Sequence, residues 1–548
     1  MAGNTAETFR GHDSDAPGTA LAAAPTHVSK TFPRSRRWLA ALCAASLVLP
    51  AAPLSAQNNL PALGDAATED FGVATERRIG EQIMREIRRD PDYFDDPLLL
   101  EYLQAMWSPL VAQSRRDGHI TPDIDARFSW EAFLVRDRSV NAFALPGGYV
   151  GVHLGLIAIT ASRDELASVL AHELTHVTQR HIARGVSNSK KQSLIGLAAM
   201  IIGVIAASRA GSADAANAAI AGSQAATIQG QLNFSRDMER EADRIGFQLL
   251  TGAGYSAAGM ASMFEKLDQA SRLNDSGAYP YLRSHPLTTE RIGEARSRLG
   301  TNQARPAPGP NGAGFEHVLA QARSRVLMDT RVDALRRWQA LDAPRSDLTA
   351  TQRLADLYSS ALASVLLRDA ARADGAITRA QSLLADTARP ESRAARWVAM
   401  LQAQALLARG DAAGAEAALR PWAGDGSRPA TLMAADVALA GGGEAALRRS
   451  AEDLQTRVAT QPGDALAWSY LARLWPRLGQ PLRAVRAEGE AAYAIGDLRG
   501  AVDRLRAGQR LVRAGNASDF IEASVIDARL RDIQAQQRAL AAEERDAR

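Results

Sequence analysis

Residues 162–178 read Ser162-Arg163-Asp164-Glu165-Leu166-Ala167-Ser168-Val169-Leu170-Ala171-His172-Glu173-Leu174-Thr175-His176-Val177-Thr178. Ser162 and Glu165 have the spacing of a capping box, and Leu166, Val169, Leu170 and Val177 supply one apolar side, so the stretch predicts a core helix. On that helix His172 and His176 stand about 40° apart, and both imidazoles can reach one metal ion. Glu173 borders the same face, where it is placed to act as a general base. Two histidines four residues apart with a glutamate between them form a zinc-binding pattern. Chance matches to five residues occur, so a third ligand must be found.

One known solution continues the helix with a glycine and a further histidine, but Gln179 and Ile182 occupy those places here. His181 is rotated by about 140° from His176 on an unbroken helix, which makes it a surface residue. The other solution takes a carboxylate from a second helix, and Asn233-Phe234-Ser235-Arg236-Asp237-Met238-Glu239-Arg240-Glu241-Ala242-Asp243 offers one. Glu239 and Asp243 share a face at i,i+4, so Glu239 can ligate while Asp243 orients a ligand histidine from behind. Glu241 should face away. Ile245, Leu249 and Leu250 make this a packed helix rather than a solvated one.

These motifs, together with Asn141-Ala142-Phe143-Ala144-Leu145-Pro146-Gly147-Gly148 upstream, resemble the zinc metallopeptidase family of the HtpX and CAAX prenyl endopeptidase type. The resemblance implies one zinc per chain held by His172, His176 and Glu239, peptide hydrolysis with Glu173 as base, and a catalytic acid at Asp243. Orienting a histidine is physically the safer role for Asp243. Asn141, Ala142, Phe143 and Ala144 lie on a strand that could pair with an extended substrate through the main chain, giving broad side-chain specificity. His285, in Ser284-His285-Pro286-Leu287, recurs in the resembling family. It is expected either to stabilise the transition state, to occupy the open metal position, or to make a structural hydrogen bond.

The expected fold class is α+β: a mainly helical zincin-type metallopeptidase domain with a small β meander, followed by an all-α tetratricopeptide-like array. For the meander, Phe128, Trp130, Ala132 and Leu134 alternate as a half-buried strand, and 140–145 and 149–153 flank a Pro-Gly-Gly turn. Residues 1–56 read as a secretory leader: Arg34, Arg36 and Arg37, a 12-residue apolar run from Trp38 to Leu49, then small residues with cleavage expected after Ala56. That run is too short to span a bilayer, which needs about 20 residues. Residues 57–304 form the metallopeptidase domain. Residues 305–314, with three prolines and three glycines, form a linker. In residues 315–548 the turns at Gly410-Asp411, Gly479 and Gly496-Asp497 echo one another, and Gly410 and Gly479 are 69 residues apart, close to two tetratricopeptide periods, which reads as a tetratricopeptide-like array. Deletion after Gly314 is therefore expected to spare the metal site, provided the first domain folds alone.

The 14-residue apolar run Leu194–Ala207 is read as a buried helix, with a cover over the site or a peripheral membrane contact as the sharper alternative. Cys43, the only cysteine, lies in the leader, so disulfide and thiol chemistry are excluded from the mature chain. The 548 residues carry 64 basic and 61 acidic side chains. That small surplus, much of it in the leader, is no nucleic-acid footprint. A leader, no membrane span and a repeat tail are similar to the family's periplasmic branch. They imply an endopeptidase that degrades misassembled outer-membrane β-barrel proteins, aids their assembly and contacts the assembly machinery. The alternative is a chaperone or scaffold acting through the array, with a largely latent protease site.

Overall fold

The computed structural model describes residues 72–187, 235–273, 279–299, 314–386, 392–512 and 517–546. The leader, the run Leu194–Ala207 and all but the last residue of the Pro/Gly linker lie outside the described residues. Helix α1 (Val73–Arg88) precedes strand β1 (Tyr93–Phe94); α2 (Pro97–Arg116) and α3 (Pro122–Arg127) lead to β2 (Glu131–Val135), β3 (Ala142–Leu145) and β4 (Tyr149–His153). Then come α4 (Leu154–Ile159), α5 (Arg163–Thr178), α6 (His181–Ser187), α7 (Arg236–Gly252), α8 (Ala258–Leu273), α9 (Tyr281–Ser284) and α10 (Thr289–Leu299).

The sheet differs from the expected meander. Its order is β1-β2-β4-β3, with β2 and β4 parallel and β3 and β4 antiparallel. The hairpin is inserted so that β4, buried at every position, becomes a central strand and β3 becomes an edge. Gly151 makes this packing possible: a Cβ there would stand 2.4 Å from the Phe143 ring, which lies across it. Alternation also runs differently from expectation, because both faces of β2 are covered. Ala132 and Leu134 join the main core, while Phe133 packs with Ile79, Ile83 and Met84 of α1. Side chains point to alternate faces whether or not the second face meets water, and here α1 shields it.

Helix α5 crosses the centre of the domain, with every residue from Glu165 to Thr178 buried. Its start is capped as expected by Ser162 Oγ, which accepts from the Glu165 N–H at 3.2 Å. The return bond is shifted by one residue: Glu165 Oε2 accepts from the Ala161 N–H at 2.6 Å. Helix α7 packs along α5, and its Ser235 cap accepts from the Met238 N–H.

The main core does not stop at the linker. Helix α11 (Phe315–Leu327) buries Phe315, Leu319 and Val326 in the same cluster as α2, α4 and α5. His317 bridges Tyr102 Oη at 2.6 Å and the Thr160 carbonyl at 2.9 Å, and Arg323 holds both oxygens of buried Asp96 at 2.8 and 2.6 Å. Beyond it lie α12 (Val332–Gln339), α13 (Ala350–Leu366), α14 (Ala370–Ala385), α15 (Ser392–Ala408), α16 (Ala412–Leu419), α17 (Arg428–Gly441), α18 (Glu444–Thr460), α19 (Ala465–Arg477), α20 (Pro481–Ala494), α21 (Leu498–Leu511) and α22 (Ala517–Asp546). Consecutive helices from α13 onward pack on one another. Several of their turns use a residue with positive φ followed by an aspartate that caps the next helix, as at Arg368-Asp369, Gly410-Asp411 and Gly496-Asp497. Arg428 pairs with Asp95, and Arg396 with Glu101, tying α15 and α17 to the start of α2. Among the described residues no helix is long and apolar enough to cross a membrane.

The buried histidine on α11 makes stability pH-dependent. Its Nε2–H donates to Thr160, so the ring is neutral and accepts from Tyr102 at Nδ1, and burial pushes its pKa down to about 4. Between that value and the ordinary value of about 6.5, the unfolded chain binds a proton that the native state refuses, so stability falls as pH drops through this window. The shift corresponds to a loss of at most about 3 kcal/mol. His153, pushed down to about 4 by burial in the same way, adds to the slope. Thermal melts between pH 7 and 4 should fall less steeply for His317→Gln than for wild type; equal slopes would remove His317 as a source.

Candidate metal centre

The site is built where α5 and α7 touch. Gly246 on α7 lies against the backbone of Ala171 and His172, where an added Cβ would sit 3.2 Å from the Ala171 carbonyl and the His172 Cα. This close approach carries Glu239 and Asp243 to the two histidines of α5. The Nε2 atoms of His172 and His176 are 3.0 Å apart. Glu239 Oε2 is 3.5 Å from the first, and its Oε1 is 3.4 Å from the second.

His285, just past α9, completes the group. Its Nδ1 is 3.0 Å from Glu239 Oε1 and 3.3 Å from His172 Nε2, and its ring stacks on Tyr281 at 4.6 Å. One donor atom from each of His172, His176, Glu239 and His285 lies within 4.8 Å of every other, and all four residues are buried. Glu173 is fully buried beside them, with its Oε1 3.4 Å from His285 Nε2. Neither of its carboxylate oxygens accepts a hydrogen bond from the described residues. A buried carboxylate without a partner is costly. The orphaned oxygens and the convergent N₃O donor set both fit a zinc ion.

The surroundings fix the ligands. Asp243 Oδ1 is 3.0 Å from His172 Nδ1, within ion-pair range though poorly aligned for a hydrogen bond. Arg291 of α10 grips Asp243 with two bonds of 2.7 and 2.9 Å, reaches Glu239 Oε2 at 2.9 Å, and donates to the Pro286 carbonyl. Burial pushes the His172 imidazole down, but Asp243 and Glu239 more than offset this and raise it to about 9. His176 is driven well below the ordinary histidine value by burial and by His172. Burial would raise Glu239, yet His285 and His172 hold it well below the usual carboxylate range.

Residues 108–299 match the model of peptidase family M48. They form an M48 peptidase domain. A Vibrio cholerae serotype O1 protein, provisionally named a beta-barrel assembly-enhancing protease, is 39% identical over 272 residues, 49% of this chain and 53% of that one. The beta-barrel assembly-enhancing protease of Escherichia coli K12 is 32% identical over 291 residues, 52% of this chain and 56% of its own. Mitochondrial metalloendopeptidase OMA1 of Arabidopsis thaliana is 33% identical over 241 residues, 43% of this chain and 45% of its own. The chain thus spans about half the length of the relatives it matches.

Within the M48 domain the structure brings together His172, Glu173, His176, Glu239, Asp243 and His285, all named from sequence. Ala142, Phe143 and Ala144 lie on the edge strand β3, which packs beside α5, and Asn141 directly precedes it. His181 corrects the sequence reading: it is fully buried, with its Nδ1 2.9 Å from His176 Nδ1. Helix α5 ends at Thr178, and Arg180 turns the chain at φ 52°, so the rotation expected of an unbroken helix does not apply. Glu241 does face away from the cluster, but it meets His181 and Arg184. Arg291 could be noticed in the sequence only as a basic residue near His285; its grip on Asp243 spans 48 residues and had no local signal.

Replacing Glu239 with Gln should weaken zinc binding by more than the roughly 10–100-fold typical of losing an outer hydrogen-bond partner, because an anionic ligand is lost. Metal content of the purified protein, measured by atomic emission, checks this. Wild-type occupancy would mean that another carboxylate binds the metal.

Proposed function

We propose that this chain is a periplasmic zinc endopeptidase that acts on unfolded or misassembled outer-membrane β-barrel proteins. The observation that carries the reading is the convergence of His172, His176 and Glu239 beside the buried Glu173, whose carboxylate has no hydrogen-bond partner among the described residues. Zinc held there would supply Lewis acidity to the scissile carbonyl and to the attacking water. Glu173 takes the proton from that water and delivers it to the leaving amine. Asp243, clamped by Arg291, orients His172. The outer edge of β3, with Ala142, Phe143 and Ala144 and the preceding Asn141, offers main-chain groups to an extended substrate strand, a mode that suits unfolded clients.

The names of the bacterial relatives, with their reference to β-barrel assembly, support the client class. The paired helices after α11 support a tetratricopeptide-like array whose surface recruits clients or assembly machinery. The test is incubation of the full mature chain with a denatured outer-membrane β-barrel protein. Cleavage that stops with a zinc chelator and returns on adding zinc is expected; chelator-insensitive cleavage, or none, counts against the proposal.

A second reading, a largely latent site, is favoured by His285. A catalytic zinc needs an open position, and a fourth protein donor in the cluster closes it. On this reading His285→Ala raises basal cleavage, whereas a fall in rate assigns the imidazole to the transition state.

A further inference from the structure

We infer that His181 and Glu241 are positioning residues for the metal centre: they form a hydrogen-bonded relay that fixes the tautomer of His176 and so sets the zinc affinity. This rests on the reading of His176 as a ligand. The relay begins where α5 ends. Arg180, at φ 52°, is tied by its Nε to Glu76 Oε2 of α1 at 2.9 Å, with both side chains buried. The turn brings the next residue, His181, back over His176, with ring centroids 4.8 Å apart and planes at 78°. The two Nδ1 atoms face each other at 2.9 Å. On its far side, His181 Nε2 is 3.1 Å from Glu241 Oε2, which also accepts from Arg184 at 2.8 Å.

The protons in this chain can be placed by elimination. Two imidazole nitrogens at hydrogen-bond distance share one proton, so one donates and the other accepts. The Glu241 carboxylate, paired with Arg184, accepts from His181 Nε2–H. A neutral His181 then offers only a lone pair at Nδ1, and His176 must carry its own proton on Nδ1. That leaves the His176 Nε2 lone pair directed at the cluster, where His172 Nε2 and Glu239 Oε1 are 3.0 and 3.4 Å away. In the opposite arrangement His181 donates from Nδ1, the His176 proton moves to Nε2, and ligation is blocked. The two ligand histidines are thus backed differently: His172 by the Asp243 carboxylate directly, and His176 by a carboxylate acting through a second imidazole. Outer partners of this kind typically change metal affinity by about 10–100-fold.

The test compares zinc dissociation constants of the full mature chain, measured by competition with a chromophoric chelator, for wild type, His181→Phe and His181→Gln. Phe fills the space without nitrogens, whereas the Gln amide can accept from His176 and donate to Glu241. Phe is expected to weaken zinc binding about 10–100-fold and Gln to restore it to within about threefold of wild type. Equal affinity of the Phe variant and wild type would overturn the relay, as would equal weakening by Phe and Gln. Wild-type protein that binds no zinc would instead remove the ligand reading itself. If the Phe variant does not fold, ring ¹⁵N shifts of the metal-free mature wild-type chain decide the matter; of the nine histidines in the full sequence, seven remain once His12 and His27 leave with the leader. His176 protonated at Nδ1 is expected, and protonation at Nε2 overturns the relay.

Discussion

Glu173→Gln protein should hold its zinc and lose peptide hydrolysis by about 10²–10⁴-fold, the range for removing a general base. Glutamine has nearly the same shape and disturbs none of the four convergent donors, so the metal stays while the proton acceptor disappears. The substitution should also leave stability intact or raise it, because a fully buried carboxylate without a hydrogen-bond partner among the described residues becomes a neutral amide. Casein cleavage, metal content and melting temperature on one preparation check all three. Undiminished, chelator-sensitive cleavage by this variant would refute Glu173 as the base.

Cutting the chain after Gly314 should abolish the fold of the M48 domain together with its metal binding. Phe315, Leu319 and Val326 of α11 are each almost wholly buried in the core they share with α2 and α4. Removing them forfeits roughly 5–9 kcal/mol of apolar burial, comparable to the about 5–15 kcal/mol that holds an ordinary domain together. Asp96 would regain water once Arg323 is gone, so lost apolar contact dominates over the broken ion pair. The damage continues at Tyr102, whose ring packs edge-on against Trp397 of α15. Residues 57–314 should therefore melt without a cooperative transition, whereas residues 57–410, which retain the whole shared core, should melt cooperatively and bind zinc. A cooperative, zinc-loaded 57–314 protein would show that α11 is dispensable. This expectation replaces the one drawn from the linker, because proline and glycine mark where the backbone cannot be regular and say nothing of which side chains meet afterwards.

The metal site was legible in sequence wherever chemistry and helical periodicity coincide. His172, Glu173 and His176 share a turn, and Glu239 and Asp243 share a face, so spacing alone placed them. Sheet order was not legible, because alternation reports which face a residue takes and not which strand lies next to it. The end of α5 was equally silent: Thr178-Gln179-Arg180-His181 contains no glycine or proline, and the break is supported by the tertiary contact between Arg180 and Glu76. The polar face of α11 was misleading in composition, since His317, Gln321 and Arg323 look solvent-bound yet are buried against carbonyls and a carboxylate.

The contact of Gly246 with the backbone of α5 has a consequence for ion choice. His172 and His176 belong to one helix and Glu239 to the other, so the gap between the two helix axes acts as a calliper on the ion. Its jaws are held close at Gly246, where an added side chain would meet the Ala171 carbonyl and the His172 Cα at 3.2 Å. A methyl group at residue 246 would press on the backbone of His172 and open the jaws by a few tenths of an ångström, so Gly246→Ala protein should shift its preference from zinc toward larger divalent cations such as cadmium; competition of the two ions for wild type and variant checks this, and an unchanged preference counts against it. Ion preference would then depend partly on a residue that offers no donor atom at all.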